Sequence, residues 1–142
     1  MLKPRFMRPV IVLSLGCLIG WEFDTRLGLA EIIESWPARA TDEHPRNSEG
    51  DTIALKDGSL LVGWTEFQRS NTDFTTAHIA GRRSADGGRT WGEEFVLQKN
   101  IGRMNTMSLS FFPVRESGDL LMFVLIKNSK PDLDLVVCRS TD

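Results

Sequence analysis

Within eight residues, "SADGGRTW" at 84–91, the sequence sets a hydroxyl, a carboxylate and a guanidinium side by side. A cluster of that kind could hold an anion or activate a nucleophile. It could also clamp a turn, because Ser84 and Asp86 carry oxygens that bond turn backbone. Gly87 and Gly88 accept positive φ at little steric cost, and Trp91 can fold over a hairpin and bury a large apolar face. Other residues able to do chemistry are scattered through polar segments: Arg46, Asp73, Arg103 and Asn105. The two histidines, His44 and His78, lack metal-ligand spacing, and His78 falls inside an apolar run. The two cysteines are Cys17 and Cys138, and Cys17 lies in an apolar N-terminal stretch, so no disulfide framework is expected. Nothing calls for a metal or an organic cofactor.

The elements that must position these residues read as β. "DTIALKDGSLLVGWTEF" holds two apolar runs joined by Lys-Asp-Gly, a hairpin signal. "AHIAGRRS" is a third run and "EEFVLQ" a fourth. The pattern then recurs in "MSLSFFPVRESGDLLMFVLIKN" and "DLDLVVCRSTD". Gly58 corresponds to Gly118 and Leu60 to Leu120 at an offset of 60, and Arg83-Ser84 to Arg139-Ser140 at an offset of 56. A repeat of four short strands is the signature of a β-propeller blade; the competing reading is an ordinary meander. Residues 31–50 carry one short apolar run, Ile32-Ile33, expected as a short helix or as an outer strand that closes a ring.

Strand alternation sorts the candidates by face. Strands are expected at about 52–55, 60–66, 77–83 and 94–98. In an antiparallel meander their connections alternate between two ends, so Arg46, Asp73, Arg103 and Asn105 share one end. "SADGGRTW" goes to the opposite end. Arg82 and Arg83 alternate on the third strand, so one of them turns inward and pairs with an acidic neighbour.

The pattern Ser-x-Asp-x-Gly-x-Thr-Trp, formed by Ser84, Asp86, Gly88, Thr90 and Trp91, resembles the Asp box of bacterial sialidases and related BNR-repeat propellers. The surrounding text, "HPRNSEGDTIALKDGSLLVGW", "IAGRRSADGGRTW" and "MNTMSLSFF", is similar to that family too, over roughly residues 44–142. The resemblance implies an all-β, incomplete propeller: about two four-stranded antiparallel blades of a six-bladed ring, blade 1 at about 51–98 and an incomplete blade 2 at about 107–142. It implies an exo-sialidase-like hydrolase that cleaves terminal sialic acids from glycoconjugates by a retaining mechanism, with a tyrosine nucleophile in place of the usual second carboxylate. In such a site the Asp box is structural. Arg46 is implied as the first of three arginines that grip the sugar carboxylate through a bidentate fork. Asp73 is implied as the acid/base residue, and Arg103 and Asn105 as contacts to the glycan. Two departures count against turnover: the chain contains no tyrosine, and the later arginines belong to blades it does not include. The chain as given is therefore expected to be an inactive N-terminal portion. The alternative function is a non-catalytic glycan-binding or assembly propeller.

Composition bounds the rest. The 142 residues suffice for one domain, with a formal net charge of −2 and no clustered basic patch, which argues against a nucleic-acid partner. Residues 1–30 have the layout of a signal peptide: Lys3, Arg5 and Arg8, then an apolar stretch over 10–21, then a small-x-small site at Gly28 and Ala30. The apolar stretch is shorter than the ~20 residues that span a bilayer. An uncleaved anchor is the alternative, and the only expected route to a membrane; a lipoprotein reading through Cys17 is weakened by Ser14 three positions before it. Cleavage after Ala30 takes away four of 17 basic and two of 19 acidic residues, leaving a net charge of −4. The expected location is periplasmic or extracellular.

Overall fold

The computed structural model describes residues 32–140, so the leader expected at 1–30 and the last two residues lie outside it. Seven strands form two antiparallel sheets. Sheet A has the order β1 (Arg46–Ala54), β2 (Leu60–Phe67), β3 (Ala77–Ser84) and β4 (Phe95–Gln98). Sheet B has the order β5 (Asn105–Pro113), β6 (Leu120–Lys127) and β7 (Leu133–Ser140). Both are simple meanders. The architecture is all-β, with one complete four-stranded blade and one of three strands, as expected of an incomplete propeller.

The internal repeat is a repeat of register. Leu60 pairs with Ser84 in sheet A and Leu120 with Ser140 in sheet B. Gly58 and Gly118, at the tight turns before these strands, have φ of 84° and 72°, a region open mainly to glycine. The first strand of each sheet is bulged at the same station, between Ser48 and Asp51 in β1 and between Met107 and Ser110 in β5. A bulge places an unpaired residue and bends the strand. Here Glu49 and Ser108 take that role with φ of 55° and 59°.

The bulge corrects one expectation. β1 begins at Arg46, six residues before the start read from the apolar pattern, because the extra residues at 49–50 break the period-2 alternation while pairing continues on both sides. Residues 32–45 contain neither helix nor strand; they run as an extended arm across sheet A.

The two sheets pack through Ile79 of β3, Leu109 of β5 and Val124 of β6, with Leu97, Phe111, Met122 and Val136 around them. Phe67, Ala77 and Met107 form a second cluster toward the loop end. On its other face sheet A buries Val62, Trp64 and Ala80 beneath Ala38 of the arm and Trp91. Val136 packs inward, so its neighbours Leu135 and Val137 point the other way. They are 64% and 50% exposed, and Phe112 is 56% exposed.

Candidate functional site

Alternation of the strands places the 68–76 and 99–104 connections and the start of β1 at one end, as expected. There the structure brings Arg46 and Asp73 together: Arg46 Nη1 donates to Asp73 Oδ1 at 2.6 Å. The same nitrogen reaches the Asn71 carbonyl at 3.2 Å, Nη2 reaches Glu49 Oε1 at 3.0 Å, and Nε donates to Ser48 Oγ at 2.9 Å. The guanidinium also stacks 4.2 Å above the ring of Phe67, which is fully buried. An arginine held by two carboxylates and a ring face is fixed in one rotamer. Its position follows from the bulge. Glu49, turned out of the ladder, points its carboxylate back along β1 to Arg46.

Asn105 opens β5 and is fully buried. Its Nδ2 donates to the carbonyls of Asp73 (3.0 Å) and Thr75 (2.9 Å), so it fastens the loop that carries Asp73 from beneath. Its Oδ1 is buried with no hydrogen-bond partner among the described residues. Arg103 stands at the same end with an exposed side chain, its backbone N–H donated to Asn128 Oδ1 at 3.1 Å. Sequence reasoning missed several neighbours. Phe74, 47% exposed beside Asp73, lies 4.9 Å from Lys127 Nζ and 5.3 Å from Lys130 Nζ. Glu49 and Phe67 were missed too. Only the "GD" after Glu49, where alternation fails, hinted at the bulge.

The segment 84–91 lies at the opposite end and closes on itself. Ser84 is 2% exposed; its Oγ donates to Asp86 Oδ1 (2.7 Å) and accepts from Gly88 N (2.8 Å). Asp86 accepts from Thr90 N (2.9 Å) and Thr90 Oγ1 (2.6 Å). The hydrogen bonds from Thr90, then from Ser84, hold the Asp86 carboxyl down at about 2. Trp91 Nε1 donates to Ser35 Oγ at 3.0 Å, and Ser35 Oγ donates to the Gly88 carbonyl at 2.5 Å. The Ser84 hydroxyl and the Asp86 carboxylate, which made this stretch look reactive, are engaged in the turn.

A second polar cluster sits on the arm-covered face of sheet A. Glu66 is 5% exposed; its Oε2 lies 2.7 Å from His44 Nδ1 and 3.2 Å from His78 Nε2. Burial alone would push this carboxyl up. The hydrogen bond from His78 and the positive field of His44 and His78 outweigh it and hold Glu66 below the usual carboxylate range. Arg82 pairs with Glu94 at 3.2 Å, the structural ion pair expected of one β3 arginine, but on the arm-covered face of sheet A and not toward sheet B. Among the described residues no group of three side chains is arranged to hold a metal ion, and no helix is long and apolar enough to cross a membrane.

No protein-family model matches the chain, and no curated protein does. Among solved structures the chain is similar to the NanB sialidase from Streptococcus pneumoniae, determined in complex with 2-[(3-chlorobenzyl)ammonio]ethanesulfonate, with a TM-score of 0.52 at 14% sequence identity. The alignment covers 68% of this chain and 18% of that one, so the chain spans less than a fifth of the sialidase it matches. At this identity the likeness is one of fold alone: two antiparallel sheets, of four and three strands, arranged as in an incomplete β-propeller.

Proposed function

We propose that the chain is part of an exported sialidase-like glycoside hydrolase that acts on terminal sialic acids, and that these 142 residues alone bind but do not turn over. The observation that carries this reading is the Arg46–Asp73 pair at the loop end of β1, propped by Asn105. The fold likeness to a sialidase and the closed Asp-box turn at the other end support it. In this reading the sugar carboxylate takes the place of Asp73 on the Arg46 fork. Asp73, released from the guanidinium, takes a proton from solvent and gives it to the leaving oxygen, and the resulting carboxylate later takes a proton from the attacking water. Arg103 reaches the glycan from the neighbouring connection. Asn105 sets the height of the Asp73 loop. The chain supplies no tyrosine, so the nucleophilic half of the reaction has no group here.

The test has two arms. The 142-residue chain should show no release of fluorophore from a fluorogenic sialoside above a heat-killed control; turnover would overturn the inactive part of the proposal. Sialyllactose should bind, and Arg46→Ala should weaken that binding about tenfold or more, the worth of a charge-assisted pair. Unchanged binding would remove Arg46 from the site. Export is checked by N-terminal sequencing of the mature protein, expected to begin at Glu31.

The absence of tyrosine favours a second reading, a non-catalytic glycan-binding or assembly propeller. A 2,3-unsaturated sialic acid, flattened like the oxocarbenium-like transition state, separates the two. A hydrolase-type site prefers it over sialyllactose, whereas a binding module does not.

A further inference from the structure

The connections at the Arg46 end carry an excess of positive charge. Segments 68–76, 99–104 and 128–132 hold four cations, Arg69, Lys99, Arg103 and Lys130, against two carboxylates, Asp73 and Asp132. The connections at the opposite end, 55–59, 85–94 and 114–119, hold three cations against six carboxylates. The chain as a whole carries −2, so the positive sign at the Arg46 end is local. A field of that sign draws anions to one end of the molecule.

Lys127 adds to the excess from below. It closes β6 and pairs with Asn105, the station that Phe67 holds opposite Arg46 in sheet A. Lys127 is only 8% exposed, yet it makes no ion pair among the described residues. Lysine is seldom buried unless paired, because a desolvated charge ordinarily needs a counter-ion. Its Nζ is not sealed from solvent and meets the ring of Phe74 at 4.9 Å. Lys130 Nζ approaches the same ring at 5.3 Å and also makes no ion pair among the described residues. Phe74 directly follows Asp73. Consecutive residues of one loop thus carry the contact to Arg46 and the contacts to both lysines.

We infer that Lys127 and Lys130 form a second anion subsite, which takes a negative group on the sugar next to the terminal sialic acid. This rests on the reading of Arg46 as the residue that holds the terminal carboxylate. An ammonium meets an anion as a point charge and does not demand the planar geometry of a guanidinium fork. A carboxylate or a sulfate therefore satisfies the pair, and both occur beside a terminal sialic acid, on a second sialic acid or on a sulfated galactose. A singly charged sialoside leaves both ammonium groups unmatched. The chain is thus selective for doubly charged glycans.

Calorimetric titration of the 142-residue chain tests this with three probes: sialyllactose, disialyllactose with its sialic acids linked to each other, and sialyllactose sulfated on galactose. At least one doubly charged glycan should bind about tenfold tighter than sialyllactose, the scale of one charge-assisted contact. The advantage should shrink as salt rises, and the probe that shows it tells carboxylate from sulfate. Lys127→Met, which keeps the apolar stem, should abolish the advantage, and Lys127→Arg should keep most of it. Lys130→Gln, an exposed change that leaves the core intact, should cut it about threefold. None of the three should alter sialyllactose binding, whereas Arg46→Ala should weaken all three probes. No advantage for either doubly charged glycan, or an advantage kept in both Lys127→Met and Lys130→Gln, overturns this inference while leaving the Arg46 reading intact. Sialyllactose binding unchanged in Arg46→Ala overturns that reading and this inference with it.

Discussion

Ser108 and Glu49 hold the same station in the first strands of the two sheets, and they meet: the Ser108 backbone N–H donates to Glu49 Oε2 at 3.2 Å. The same N–H also reaches Thr65 Oγ1 at 2.9 Å, and the Phe111 N–H donates to Asp51 Oδ2 at 2.7 Å. The bulge frees the Ser108 donor and the edge position of β5 leaves the Phe111 donor outside its own ladder, and carboxylates of β1 and its bulge receive both. Glu49 thereby links the seam between the sheets to Arg46.

Glu49→Ala should destabilise the chain by about 1–3 kcal/mol, the cost of leaving partly buried donors without their charged acceptor. Glu49→Gly removes the same carboxylate but relieves the positive φ of 55°, so it should cost less than the alanine change. Urea unfolding of both variants gives the comparison. An alanine variant as stable as the parent would mean that the bond contributes nothing to the seam.

Gly63 faces sheet B with no room for a side chain. A Cβ there would collide with Leu109 Cδ2 and lie 2.9 Å from Leu97 Cδ1 and 3.3 Å from Phe111 Cζ. Gly63→Ala should therefore cost about 1–3 kcal/mol by overpacking. Val124→Ala, at a site with no exposure on the facing strand, should cost about 2–4 kcal/mol by leaving a cavity. Thermal unfolding should show both losses.

The Asp86 carboxyl should titrate near 2 by NMR, below its ordinary value of 3.8. Its folded pKa is depressed, so its contribution to stability is complete above about 3.8 and is lost as pH falls through about 2. Asp86→Asn should remove that acid dependence of the turn. It should leave sialoside binding unchanged, because the turn lies at the far end from Arg46.

Glu66 follows the same sign. Its carboxyl is held below its ordinary value of 4.5, so the stability it gives is present above that value and fades as acid protonates it in the folded chain. Glu66→Gln should flatten the low-pH limb of the unfolding profile and loosen the arm. Loosening would be read as faster amide exchange at residues 36–44; an unchanged profile would show that the two histidines do not act through this carboxylate.

Much of sheet A was legible because local chemistry and tertiary need agree there. β2 and β3 carry strong apolar alternation, the Lys-Asp-Gly turn demands positive φ, and the echo of Leu60 and Ser84 in Leu120 and Ser140 fixes the second register. Alternation also put Arg46, Asp73 and Asn105 at one end, with the 84–91 turn at the other. The start of β1 was not legible, since Glu49 occupies a conformation that glutamate rarely adopts and hides the strand's period. Nor was the Glu66 cluster. His44, Glu66 and His78 meet only because β2 pairs with β3 while the arm folds back over both. The buried place of Asn105 follows from two carbonyls some 30 residues away, which no local pattern announces.

The 32–45 arm is fastened at points spread along its length: by the Ser35 hydroxyl on Gly88 and Trp91, by the Arg39 carbonyl on Asn47 Nδ2, by the Glu43 carbonyl on the Arg69 N–H, and by His44 against Glu66. Ala38 seals the middle of the span against Val62, Trp64 and Ala80. A strap stitched at several places opens piecemeal, so losing one stitch frays the cover over Trp64 without lifting it.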